Sequence, residues 1–533
     1  MPALLVCCGV TCLRDYHLFQ LNSYRAGAQL RGLARGFARE YLLRHAAAFA
    51  VLAVTAAALP RAVAAPFAVL AYAVQTYFNR PRKAKKPLVY TPRVKRMLAV
   101  HGLLVALVTL AAGSFSAGGR DFCLAFLLPA SPFFVLLANG LNAPVEKALN
   151  RRYIRDAERR LRAMPGLAVI GVTGSYGKTS TKYFLHALLS SRYNVLMTPE
   201  SFNTTLGVVK AVRTRLRPVH EVFVCEMGAR NAGDIEEICG IVRPRHGVIT
   251  AIGPQHLESF KSLENIVKTK FELADALPEG GLLFLNGDDE ILRSRARGAD
   301  VVYSASDGVP RSEGAPRPGG APNSDAPRCR APDYAARDIR VSERGSSFSV
   351  VFPDGEERRF ETPLLGRHNV QNILAAVAVS DRLGVGRGDM AASAARLAPV
   401  PHRLQLIRRN SVILIDDSYN SNQSGARAAL ETLAMFEGLK ILVTPGMVEL
   451  GAAEDESNRR FGSEAAAVCD RIVLMGERQT RSVREGLKLA GFPDEKTEVA
   501  ESLEQAFERI EKFSLEGFGR KVVLLENDLP DNY

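Results

Sequence analysis

The stretch "LAVIGVTGSYGKTSTKYFLHALL", residues 167–189, decides how the rest of the chain is read. Its opening, "LAVIGVTG", is a short apolar run suited to a buried strand, and its end, "KTSTKYFLHALL", has the pattern of a helix. Between them "TGSYGKTS", residues 173–180, is a glycine-rich turn. Strand, turn and helix in that order are the setting a phosphate loop requires. Gly174 and Gly177 permit close backbone approach, and the amide hydrogens of the turn through Ser175, Tyr176 and Ser180 face the phosphates. Lys178 supplies charge and Thr179 is placed to bind magnesium. The strict G-x-x-x-x-G-K-[ST] pattern would have glycine at 172, where this chain has Val172. The bland alternative is a chance Gly-Lys-Thr turn.

Downstream, "EVFVCEMGA" (221–229) places Glu226 at the carboxyl end of an apolar strand, where parallel sheets present ligand-binding residues. His256 follows the strand-like "GVITAI" (247–252), and Lys270 lies in "VKTKFELADALP" (267–278). In "GRHNVQNILAA" (366–376), Asn369 and Asn372 share one face of a helical pattern, although an asparagine at a helix start is commonly a cap. "SVILIDDSYNSN" (411–422) reads as a strand ending at Asp416 and Asp417, the start of a second open-sheet domain, and Arg403 stands at the junction before it. The loop "SFNTTLG" (201–207), with Ser201, Asn203 and Thr204, has donors for a carboxylate; it could equally form a turn.

Upstream the composition changes. At 533 residues the chain is too long for one core. Its formal charge of +13 is concentrated in the first third, without the aromatic interleaving that would suggest nucleic acid as a partner. Apolar runs at 46–60, 62–78, 97–115 and 121–139 approach the roughly 17–25 residues of a spanning helix. Arginines and lysines flank them alternately, at 31–44, 80–96 and 151–160. Loop charge sets orientation, so the expectation is about four membrane helices in residues 1–150, in contact with lipid, with everything after them cytoplasmic. Eight cysteines without paired spacing argue against a zinc site or a disulfide framework. Residues 305–333, rich in Pro, Gly, Ser and Ala, read as an exposed insertion.

Seven blocks, "GVTGSYGKTSTK", "SFNTTLGV", "EMGARNAGDIEEI", "HGVITAIGPQHLESFKSLENIVKTKFEL", "LNGDD", "GRHNVQN" and "DDSYNSN", occur in the order and approximate spacing of the Mur ligases. The chain resembles most the branch that adds D-alanyl-D-alanine to UDP-N-acetylmuramoyl-tripeptide. The resemblance implies an α/β architecture: a phosphate-loop central domain at 160–398 and a Rossmann-like doubly wound domain at 399–533, preceded here by the apolar N-terminal module. It implies ATP and two magnesium ions as cofactors and amide formation through an acyl-phosphate. Thr179, Glu226, His256 and a carbamylated Lys270 would hold the metals. Asn369 and Asn372 would meet adenine, Arg403 would reach toward phosphate and Asp417 toward the nucleotide. Residues 201–204 would face the acceptor. Members of that branch carry a uridine-gripping N-terminal domain where this chain has its apolar runs, so a lipid-linked precursor stands beside the uridine-linked one. Departures are Gln423 after "N-x-N" and the ending "LLENDLPDNY" in place of a Lys-Gly-Ser segment. The rival readings are another amide ligase of the superfamily, such as a poly-glutamate synthetase, and an ATP-binding membrane scaffold without turnover.

Overall fold

A computed structural model describes residues 2–22, 24–36, 54, 60–79, 87–115, 117–200, 202–254, 257–306, 331–409, 411–419, 422–448 and 450–527. The chain divides into two units, one from the N-terminus to Arg152 and one from Tyr153 to Leu529.

The first unit is helical: α1 (Pro2–Leu21), α2 (Ala26–Gly36), α3 (Arg61–Asn79), α4 (Pro92–Ala112) and the first part of α5 (Ala117–Arg162). Thr91 caps α4 by accepting from the Val94 amide, with Pro92 at the first helical position, where a missing N–H costs nothing. Polar contacts stitch the helices together. The Tyr16 hydroxyl donates to the Met97 carbonyl at 3.0 Å and the Ser131 hydroxyl to Asp15 at 2.6 Å.

The expected four-span, multi-pass membrane module is corrected by these helices. Among the described residues one helix, α4, is long and apolar enough to cross a membrane. The run at 62–78 lies in α3, which starts on Arg61, contains Pro66 and has Gln75, Thr76 and Asn79 among its last five residues. The run at 121–139 is absorbed into the 46-residue α5, which continues to Arg162. The run at 46–60 falls almost wholly outside the described residues, as does most of the insertion at 305–333. The basic flank at 151–160 lies within α5, and a multi-pass localisation does not follow from the alternating charges.

The second unit is α/β with two sheets. Parallel strands buried on both faces need continuous apolar sequence, and this is where such runs occur. The first sheet comprises β1 (Ala168–Thr173), β2 (Val195–Met197), β3 (Val222–Glu226), β4 (His246–Ile249), β5 (Leu283–Asn286), β6 (Val301–Ser304), β7 (Tyr334–Ser342), β8 (Gly345–Val351) and β9 (Glu357–Thr362), in the order 2-3-1-4-5-6-7-8-9. Pairing is parallel from β2 to β7 and antiparallel across β7, β8 and β9. That last ribbon alternates inward and outward side chains and stacks Phe348 on Phe360 at 5.7 Å. After β1 the chain moves to one side of it for β2 and β3, then crosses to the other for β4. The order therefore reverses beside β1, the crevice in which open sheets bind ligands.

The second sheet comprises β10 (Gln405–Arg409), β11 (Val412–Asp417), β12 (Leu439–Thr444), β13 (Arg471–Met475), β14 (Thr497–Ala500) and β15 (Lys521–Glu526), in the order 10-11-15-12-13-14. Only the β10–β11 pair is antiparallel.

Candidate functional site

The site grows from the carboxyl end of β1. At Gly174 (φ +145°) and Gly177 (φ +79°) the backbone enters conformations that favour glycine. A Cβ on Gly174 would run into Thr250 Oγ1 and crowd the Ala251 backbone, and one on Gly177 would lie 2.6 Å from Asn372 Oδ1. Gly177 caps helix α6 (Lys178–Leu189), so the free amides of its first turn point into the loop, as a phosphate site requires. The loop rests on residues 250–253. Ser175 N donates to the Ala251 carbonyl at 2.7 Å, the Ser175 hydroxyl exchanges hydrogen bonds with the Gly253 backbone at 3.0 Å, and Thr250 Oγ1 donates to the Tyr176 carbonyl.

Lys178 folds over this turn, its ammonium donating to the carbonyls of Gly174 (2.7 Å) and Ser175 (3.0 Å). Burial pulls its pKa down to about 8; Glu226 opposes that shift and Arg403 adds to it. The influence of Arg403 puts the junction arginine within electrostatic range of the phosphate loop. Its guanidinium also lies 4.3 Å from the centre of the Tyr419 ring.

Glu226, at the end of β3, sits among several donors. Its Oε1 accepts from the Thr179 hydroxyl at 3.1 Å and from Asn203 Nδ2 at 3.0 Å. Its Oε2 lies 2.9 Å from the ammonium of Lys182, in a pair whose side chains are 1% and 0% exposed. Burial alone would raise this carboxyl, but Lys182 above all, with Lys178 and Asn203, outweighs it and holds the group below its ordinary range. An ionised carboxylate beside a phosphate-loop hydroxyl is the donor set a magnesium ion takes, so these residues fit that metal. Among the described residues no group of three or more His, Cys, Asp or Glu could hold a metal. His256 and Ser201 fall outside the described residues.

Lys270 is buried on helix α9 (Leu263–Asp275; α7 is Thr205–Arg215 and α8 Asp234–Val242). Burial, with help from Lys178, drives its pKa well below the ordinary lysine value. Two residues on, the Glu272 carboxylate accepts from the amides of Gly233, Ile235 and Glu236, pinning α9 to the start of α8.

The remaining candidates make the following contacts within the protein. The Asn203 amide is spent on Glu226, and its carbonyl accepts from Gly228 N at 2.7 Å; Thr204 caps α7 through the Gly207 amide. On helix α10 (Arg367–Arg382), Asn369 donates to the Leu365 carbonyl at 2.7 Å, while Asn372 Oδ1 accepts from Thr181 beneath the phosphate loop. Asp417 receives the Leu404 amide at 3.1 Å. Burial raises its carboxyl, opposed by Arg403 and by a hydrogen bond with Glu526, its register partner on β15.

Sequence reasoning passed over Lys182 and Gln371. Gln371 Nε2 donates to Asn286 Oδ1 (3.0 Å) and Asp288 Oδ2 (2.8 Å) at the end of β5. The block "LNGDD" pointed toward that strand end, but nothing local marked its partner on α10.

Two family profiles match the chain: "Mur ligase middle domain" over residues 172–380 and "Mur ligase, glutamate ligase domain" over residues 402–525, together more than half of it. The UDP-N-acetylmuramoyl-tripeptide--D-alanyl-D-alanine ligase of Escherichia coli is 33% identical over 313 residues, covering 58% of this chain and 64% of that protein. The ligase of the same name from Bacillus subtilis is 33% identical over 316 residues, covering 58% and 63%. The chain thus spans slightly under two thirds of the length of these curated relatives. Among solved structures, MurF from Acinetobacter baumannii superposes with a TM-score of 0.60 at 26% identity, over 71% of this chain and 77% of that one. MurF from Thermotoga maritima in complex with ADP shares the fold, with a TM-score of 0.59 at 24% identity over 71% and 80%. By these matches, and by a phosphate loop set against Glu226 at the switch point of the first sheet, the chain belongs to the Mur ligase family.

Proposed function

We propose that the chain is an ATP-dependent, ADP-forming ligase that joins a carboxylate to an amine through an acyl-phosphate, adding D-alanyl-D-alanine to UDP-N-acetylmuramoyl-tripeptide in peptidoglycan precursor synthesis. The observation that carries this reading is a glycine-rich loop closed by Lys178 whose next residue, Thr179, donates to the buried Glu226 carboxylate at the end of β3. A carboxylate attacking the terminal phosphate of ATP needs its charge neutralised, and fixed cations beside a metal-binding carboxylate supply that in a water-poor site. The names of the relatives supply the substrates.

In this reading magnesium, when bound, neutralises phosphate charge. Thr179 and Glu226 hold one ion; His256 and Lys270 hold a second. Carbamylation of Lys270 requires a neutral amine, and the buried, strongly depressed lysine meets that requirement. Gly174 to Ser180 cradle the phosphates, with Lys178 on the transferring group. Asn369 and Asn372 line the nucleotide on one side, and Arg403 and Asp417 approach it from the C-terminal domain. The loop at Ser201, Asn203 and Thr204 borders the acceptor.

The test is phosphate release from ATP with magnesium and bicarbonate, adding the uridine-linked tripeptide and D-alanyl-D-alanine singly and together, with Lys178→Ala as control. Release that needs both substrates and Lys178 supports the reading. Release only with a lipid-linked carboxylate, or with another amine, reassigns the substrate within the family. ATP binding without release under any of these conditions makes the chain a nucleotide-binding scaffold and rejects the ligase.

A further inference from the structure

One helical turn beyond Lys178, the same helix carries a second lysine that is wholly buried. The Lys182 ammonium makes two contacts at once, with Glu226 Oε2 at 2.9 Å and with the Glu200 carbonyl at 2.6 Å. Glu200 is a non-glycine residue at φ +43°, a conformation that persists only where surroundings enforce it. It immediately precedes the loop whose Asn203 reaches the other oxygen of Glu226. Lys182 therefore bridges the phosphate-loop helix, the strand-end carboxylate and the base of that loop.

Stability alone is a poor reason for such a residue. A buried ion pair gains little over apolar groups of similar size, because both charges must be taken out of water. What the pair does achieve is geometric. Oε2 is paired with Lys182 by charge and distance and has no hydrogen bond of its own, while Oε1 accepts from Thr179 at 3.1 Å and from Asn203 at 3.0 Å, so the carboxylate is held with Oε1 toward Thr179.

We propose that Lys182 is a positioning residue, which holds Glu226 so that Oε1 and Thr179 together face the divalent ion of the nucleotide, and which ties that setting to the Glu200 carbonyl. The proposal rests on the reading of Glu226 as a metal ligand. It has an unusual consequence. Lys182 also favours the ionised form of Glu226, so the comparison belongs at about pH 8, above the carboxylate range. There a fixed ammonium repels a divalent ion as it orients the carboxylate, and a neutral residue at 182 should bind the ion more tightly while turning over more slowly. A lysine that served only the fold would, when replaced, weaken both together.

The experiment measures free Mn2+ by electron paramagnetic resonance during titration into the full chain with ADP, alongside kcat with magnesium. The variants are Lys182→Met and Lys182→Gln; the glutamine keeps an amide donor for Oε2 and protects the fold if methionine does not. Mn2+ affinity is expected to rise about tenfold or more in the neutral variants, as the removal of a nearby like charge demands. Meanwhile kcat falls roughly 100-fold, the usual effect of a small misplacement at a reacting centre. Lys182→Arg, which keeps the charge, should return Mn2+ affinity toward the parent value. Unchanged or weaker Mn2+ binding in the neutral variants overturns the proposal, and so does failure of both to fold, which would make the pair a stability element. Glu226→Gln separates the two readings. If it leaves Mn2+ binding intact, Glu226 is not a metal ligand and the proposal falls with that premise; if it abolishes binding while the Lys182 variants behave like the parent, only the role of Lys182 is lost.

Discussion

Gly174→Ala tests the phosphate loop at its tightest point. Two separable effects oppose the new methyl group. The backbone at φ +145° lies in a region open essentially to glycine alone, which costs about 1–3 kcal/mol for any other residue. The methyl also runs into Thr250 Oγ1 and sits about 3 Å from the Ala251 backbone, an overpacking cost of about 1–3 kcal/mol. The expected destabilisation is therefore about 2–6 kcal/mol by these two terms. Thr250→Ala removes the clashing oxygen and leaves the backbone strain untouched. In a double-mutant cycle the combined variant should recover about 1–2 kcal/mol relative to the sum of the single changes, as expected for residues in contact. The chain has no tryptophan, so urea unfolding is best followed by far-UV circular dichroism. Additivity within about 0.5 kcal/mol would mean that the two residues do not touch, and the loop geometry described above would be refuted.

Phe348→Ala should destabilise by about 3–5 kcal/mol through loss of its stacked, fully buried ring, without changing ADP affinity, because the β7–β9 ribbon lies away from the loop; calorimetric titration with ADP checks the second half. Gln371→Leu strips a donor from Asn286 and Asp288 and should cost about 1–3 kcal/mol, read as a lowered thermal midpoint. The Glu226 carboxyl is held below its ordinary value of 4.5, so its contribution to stability is complete above that value and disappears as pH falls through the folded one. The stability gap between the parent and Glu226→Gln should accordingly be flat from pH 7 to about 5 and narrow below that. A gap constant down to pH 3 would show that the carboxylate is not held ionised by Lys182.

What the sequence discloses depends on how local the physics is. The phosphate loop was legible because one continuous stretch holds the strand, both glycines, the lysine and the helix, and each restricts the others' conformations. Glu226 was legible for a related reason: an apolar strand that ends in an acid presents it at the carboxyl end of the sheet, beside the crevice. Lys182 was not legible, since four residues past Lys178 it looks like any lysine on a helix, and its burial is decided by β3 and by Glu200, neither of them its neighbour in sequence. The same limit explains Asn203, whose amide could serve a substrate or a carboxylate until the fold brings Glu226 within 3.0 Å. The N-terminal runs failed in the opposite sense. Their charges alternate as membrane loops do, yet among the described residues only Pro92–Ala112 is long and apolar enough to cross a membrane, and a pattern of flanks carries no information about the apolar strength between them. Motifs defined by backbone geometry therefore survive without a structure, whereas the assignment of a polar side chain to substrate or to scaffold requires knowing what is folded against it. Lys182 shows the practical consequence: a search restricted to the phosphate-loop pattern would stop at Thr179 and miss the cation that fixes its neighbouring carboxylate.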